Sequence, residues 1–300
     1  FDIIHNKIDN IQKDIEDLIE NGHNFKNLET GQNINSIKEN ITSANVYIDS
    51  FSIKDALEKG ADIVLAGRVS DPGLTLGPLI YEFGWSKIDY NKLASGTLAG
   101  HIIECGAQCT GGNYSKWYEL NSLSNIGYPI AEVKSNGDFL ITKPENTDGI
   151  VNRTSVTEQI LYEMGDPKNY ISPDVCVDFT SFNLKELSED KILIENVKGF
   201  KPTKTYKVSI SYFSGYKCSA QLTISGPNAH DKASFVAKTI WERLSNSGYS
   251  FDKTNTEFLG FNSCHKNINL KYYGSNEIVL RLSVKDDVKA NVERFSKEIS

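Results

Sequence analysis

Apolar residues recur at three- and four-residue spacing from Ile3 to Ile19, with charges between them, and predict an amphipathic helix over 3–21 that stops at Asn21-Gly22. The next pattern is shorter. "ANVYID" (44–49) predicts a strand, "SIKDALEKG" (52–60) a helix capped by Ser52 and ended by Gly60, and the apolar run "ADIVLAG" (61–67) a second strand. Strand, helix and apolar strand in succession predict a parallel βαβ unit covered on both faces. Two further helical patterns follow, "LTLGPLIYEFGW" (74–85) and "YNKLASGTLAGHIIECGAQCTGG" (90–112), the second broken or capped at Gly111-Gly112.

From about residue 130 alternation takes over. "AEVKSNGDFLITKP" predicts a hairpin turning at Asn136-Gly137, "VTEQILYEMGDP" a helix with an Asp-Pro stop, and "PDVCVDFTSF" and "KILIENVKGF" strands. The alternating stretch 205–226 bends at Ser214-Gly215, and a helix over 228–244, the strands "TEFLGF" and "NEIVLRLSV" and a closing helix complete the chain. The expected architecture is therefore α/β: a parallel βαβ-type half over residues 1–130, truncated at its N-terminus, then a smaller α+β sandwich half over 131–300.

Composition narrows the partners. The 300 residues carry a net charge of −7, so neither a nucleic-acid backbone nor an anionic membrane surface gains from meeting this chain. No apolar stretch approaches the roughly 20 residues that span a bilayer, and no secretory segment opens the chain, which reads as cytoplasmic. Five cysteines make an odd, sparse set rather than a disulfide framework. A small molecule or another protein, which includes a second copy of the chain, fits this surface.

The P-loop, GxGxxG, GxSxG, HExxH and CxxC patterns are all absent. Three features carry candidate chemistry. In "GRVSDPG", Arg68, Ser70 and Asp71 follow the end of a predicted strand, where ligands of open α/β sheets bind; Arg68 suits a carboxylate or phosphate, and an ion pair between Arg68 and Asp71 across their own loop is the alternative. In "AGHIIECGAQC", His101, Glu104 and Cys105 share a helix face, which places an imidazole beside a carboxylate for acid–base work. The spacing is close to HxxEH, but a cysteine stands in the last position and no further ligand is evident, so no metal is assigned. A buried, hydrogen-bonded His–Glu pair with cysteine as filler is the structural alternative. Third, Thr110, Gly111, Gly112 and Asn113 form either an anion-binding nest or a plain helix cap.

The runs "GADIVLAGRVSDPGLTLGPLIYEFGW", "LAGHIIECGAQCTGGNYSKWYEL" and "GYPIAEVKSNGDFLITKPENTDGIVNRTSVTEQILYEMGDPKNYISPDVCVDFTS" closely resemble the acyclic terpene utilisation protein A (AtuA) family, from about Gly22 through Gly226. The family takes its name from gene clusters that degrade acyclic terpenes, alongside acyl-CoA carboxylase, hydratase and dehydrogenase genes. The glycine-rich motif near the N-terminus of family members has no counterpart here, so the chain is read as a fragment beginning downstream of it.

The resemblance implies acyl-CoA or branched-acid catabolism, and two functions follow. One is an enzyme acting by hydration, isomerisation or lysis on a carboxylic acid or its CoA thioester, with Arg68, Ser70, Thr110, Gly111, Gly112 and Asn113 binding substrate and His101, Glu104 and Asp71 catalytic. The other is a non-catalytic partner or regulatory subunit of an acyl-CoA carboxylase or related enzyme. The cofactor is left unassigned.

Overall fold

A computed structural model describes residues 11–261, 263–264 and 276–299. They divide into two compact units, one ending at Ser211 and one beginning at Tyr212. The change of character near residue 130 thus falls within the first unit, where helices give way to strands.

The first unit runs α1 (Ile15–Glu20), β1 (Ile41–Val46), α2 (Phe51–Glu58), α3 (Gly73–Phe83), α4 (Tyr90–Ile103), β2 (Ile130–Val133), β3 (Phe139–Thr142), α5 (Arg153–Leu161), β4 (Tyr170–Ile171), β5 (Cys176–Asp178), β6 (Asn183–Ser188), β7 (Lys191–Glu195), β8 (Lys198–Phe200) and β9 (Val208–Tyr212). Its antiparallel sheets are ordered β2-β3-β7-β6 and β4-β5-β8, and β1 pairs with β9. The expected hairpin is β2–β3, with Gly137 at φ 98° supplying the turn that a residue with a Cβ rarely makes. Of the expected opening helix, the part over 3–10 lies outside the described residues.

The parallel βαβ unit is not formed. Residues 61–67 are irregular rather than a strand, and Ile63 and Leu65 are 74% and 94% exposed. Apolar composition makes a strand only where a neighbour supplies the ladder. Here the only parallel pairing among the described residues is one bridge beyond the run, Ile48 to Val69, with the Ile48 N–H donating to the Arg68 carbonyl at 3.0 Å. The helix after β1 also starts earlier than expected: Ser50 is its N-cap and Ser52 lies inside it.

Helix α4 organises the unit. Every residue from Leu93 to Ile102 is buried, because its small residues let neighbours approach on all sides. A Cβ on Gly96 would lie 2.7 Å from Leu76 of α3, and one on Gly100 would lie 2.6 Å from the Pro72 carbonyl oxygen. On another side Gly199 of β8 packs on the Tyr90 backbone. The core around α4 gathers Leu76, Ile80 and Trp85 with Phe139, Ile141, Val177, Ile192 and Ile194 of the two sheets. Helix α5 is fixed by a capping box, the Asn152 side chain accepting from the Ser155 N–H and the Ser155 hydroxyl accepting from the Asn152 N–H.

The second unit contains β10 (Tyr216–Ser225), α6 (Ala229–Asn246), β11 (Lys253–Leu259), β12 (Glu277–Asp286) and α7 (Lys289–Ile299). Its antiparallel sheet is ordered β10-β12-β11. Alternate residues Ile278, Leu280, Leu282 and Val284 of β12 meet Ala233, Ala237 and Leu244 of α6 and Phe295 of α7 in one core. Helices pack on one face of the sheet, with strand residues at period two and helix residues at three and four. Cys218 packs against this core, Cys176 is buried in β5, and Cys264 is exposed. His230 packs against Phe258 and Phe261.

Candidate functional site

A cleft of about 300 Å³ opens in the first unit, lined by Ser70, Asp71, His101, Glu104, Glu163 and Tyr170, by Ser172 and Pro173, and by Tyr47 and Lys207. Four of the residues singled out in the sequence, Ser70, Asp71, His101 and Glu104, are therefore brought together. They come from the loop before α3 and from the end of α4, joined where Gly100 packs on Pro72. The close α3–α4 approach is what sets the loop against the imidazole.

His101 is 2% exposed. Its Nε2 lies 3.3 Å from the Ile160 carbonyl oxygen at the end of α5, and its ring packs against those of Tyr170 and Phe179 at 5.9 and 5.5 Å between centroids. Nδ1 is 3.2 Å from Glu104 Oε1, within ion-pair distance but off the line of a hydrogen bond. Gln159, also buried, donates to the His101 carbonyl at 3.1 Å and so ties α5 to the same turn of α4.

Tyr170 is held in its protonated phenol form by burial, reinforced by the negative charges of Glu104, Asp71 and Glu163. Burial also pushes the Cys105 thiol up, and the Glu104 charge adds to it. Burial and the neighbouring carboxylate thus favour the thiol over the thiolate at Cys105. Among the described residues, no His, Cys, Asp and Glu side chains form a group of three suited to a metal ion.

Arg68 does not line the cleft. It sits beside it, its guanidinium carbon 5.3 Å from the centre of the Tyr47 ring, while Lys207 Nζ lies 5.1 Å from the same centre. Two cations thus meet one aromatic ring. The backbone arranges this, since the Tyr47 N–H donates to the Lys207 carbonyl at 3.0 Å next to the β1–β9 pairing.

The stretch Thr110 to Asn113 lies away from the cleft. The Thr110 hydroxyl donates to the Gly127 carbonyl at 2.6 Å, and the Gly111 and Gly112 N–H groups donate to the Gln108 and Ala107 carbonyls. Gly111 has φ 122°, and a Cβ there would lie 2.9 Å from Leu120. Both glycine N–H groups are thus used to close a turn, and Asn113 is exposed.

Tyr47, Glu163, Tyr170 and Lys207 carry no local motif and were missed by sequence reading. In the structure Glu163 has a φ of 52°, unusual for a residue with a side chain, where the chain turns after α5 beside the cleft.

The family model for the acyclic terpene utilisation protein AtuA matches residues 3–300, nearly the whole chain. The chain belongs to the AtuA family. None of the curated proteins and none of the solved structures gives a significant match. AtuA membership gives the protein a context of acyclic terpene utilisation. No helix among the described residues is long and apolar enough to cross a membrane.

Proposed function

We propose that this AtuA-family protein is an enzyme of acyclic terpene or branched-acid catabolism that uses acid–base chemistry on a carboxylic acid or its CoA thioester, in a hydration, isomerisation or lysis. The observation that carries the reading is the buried His101–Glu104 pair in a cleft that Asp71 also lines. A carboxylate paired with an imidazole in a site sheltered from water is a standard means of moving a proton, with either member meeting the ligand. Arg68 and Lys207, held on Tyr47, anchor the anionic group of the ligand.

The test is a thermal-shift screen of branched and terpenoid acids and their CoA thioesters, repeated on Arg68→Ala and Lys207→Ala. A ligand that binds the native state must raise the melting temperature. The reading expects such a rise with at least one acid and its loss in one or both variants. No rise with any acid overturns it.

A second reading, a non-catalytic partner of an acyl-CoA carboxylase or related enzyme, is favoured by the exposed Ile63 and Leu65. Co-purification with a carboxylase subunit that Ile63→Lys with Leu65→Lys abolishes, together with no acid binding, would make it the better one.

A further inference from the structure

The His101 end of the cleft presents acceptors that have no donor. The Ile160 carbonyl can only accept, so the proton on the imidazole sits on Nε2 and Nδ1 turns its lone pair toward Glu104. Nδ1 has no hydrogen-bond partner, and neither has Glu104 Oε2, although both atoms are enclosed. Whatever proton lies between Nδ1 and Oε1, Oε2 remains an acceptor. Buried polar atoms of this kind are normally paired, so two beside one cleft mark a position made for another group.

The surroundings decide which group that is. Asp71 and Glu163 bring two more carboxylates, and their charges act together with that of Glu104 on Tyr170 and Cys105. Ser70 and Tyr170 contribute hydroxyls, while the cation of the lining, Lys207, rests on Tyr47. An incoming anion would meet like charges here, whereas a donor would complete the unpaired acceptors.

We infer that this end of the cleft receives a hydrogen-bond donor of the ligand, a hydroxyl or an ammonium group, on Glu104, and that His101 is a positioning residue that never touches the ligand. The ligand then carries a donor at one end and its anion at the other; only the anionic end rests on the function proposed above. His101 is enclosed by Ile160, Tyr170 and Phe179, whereas the Glu104 side chain retains 12% exposure away from its enclosed Oε2, so a donor reaches the carboxylate from that open side.

The experiment compares butyrate, 3-hydroxybutyrate and 3-aminobutyrate by calorimetry on the whole protein, with methylammonium as a donor lacking an anion. Binding is also followed through the ring-nitrogen NMR signals of His101, identified by their loss in His101→Asn. The expected result is that the hydroxy or the amino acid binds at least about tenfold tighter than butyrate, as one hydrogen bond to a charged group provides. Whichever is tighter names the donor.

Glu104→Gln should remove this preference, so that the hydroxy and amino acids bind no tighter than butyrate does to the same variant. His101→Asn should weaken the preference more than it weakens butyrate binding. Equal affinity for the three acids, with no response of His101 to methylammonium, overturns the inference while leaving the anion site intact. A methylammonium response without binding of any acid supports the donor site and overturns the acid-binding function. Absence of both responses overturns both.

Discussion

Asp174 provides a quantitative test of how the loop beside the cleft is held. Its carboxylate is buried at 5% exposure and accepts from the Ser50 N–H at 2.8 Å and the Ser50 hydroxyl at 2.7 Å, which ties the start of α2 to the segment after β4. Burial raises its pKa from 3.8 to about 6, against the opposing pull of the two Ser50 hydrogen bonds. The folded protein therefore holds the proton more firmly than the unfolded chain. The stability linked to this group is fully present below pH 3.8 and is lost as pH rises through about 6. The loss is about 3 kcal/mol, taking 1.36 kcal/mol for each unit of pKa.

Asp174→Asn removes the charge and keeps both contacts, its oxygen accepting from the Ser50 N–H and its amide donating to the Ser50 hydroxyl. Urea unfolding of both proteins from pH 4.5 to 8 should show the variant gaining on the wild type as pH rises, by about 2 kcal/mol across the range. A difference that does not change with pH, or a variant that loses ground toward pH 8, would refute the reasoning.

Three further outcomes follow from packing and chemistry. Gly100→Ala drives a methyl group to 2.6 Å from the Pro72 carbonyl oxygen and should cost about 1–3 kcal/mol in urea unfolding, with the cleft loop disturbed as well. Asn152→Ala removes one half of the α5 capping box and should cost about 1 kcal/mol by the same measurement. Iodoacetamide at pH 8, followed by peptide mass spectrometry, should label exposed Cys264 well before Cys105, whose thiol is pushed up by burial and by Glu104.

Elements whose signal is local were legible in the sequence. The β2–β3 hairpin follows from Asn136-Gly137 between alternating runs, and β10, α6 and β12 follow from the switch between periods two and three to four. His101 and Glu104 were legible as a pair because three residues on a helix fix their proximity. The stretch 61–67 misled because apolar composition reports a preference for burial and says nothing of whether a neighbouring strand is there to satisfy it. Arg68 was placed on a sheet edge for the same reason; its actual setting, on Tyr47 beside Lys207, depends on a pairing between segments far apart in the chain. The turn at Gly111-Gly112 could not be told from an anion nest, since both use the same residues and differ only in where the N–H groups point.

The cleft is built from two kinds of material. On one side stands α4, where Gly96 and Gly100 leave no room for even a methyl group, so the His101 turn tolerates almost no drift. On the other side Thr205, Tyr206 and Lys207 line the opening from an exposed segment that bears little of the core. Descendants of this sequence can therefore retune what the opening admits while inheriting the His101–Glu104 pair intact, and a library confined to residues 205–207 is the place to look for altered ligand preference without loss of fold.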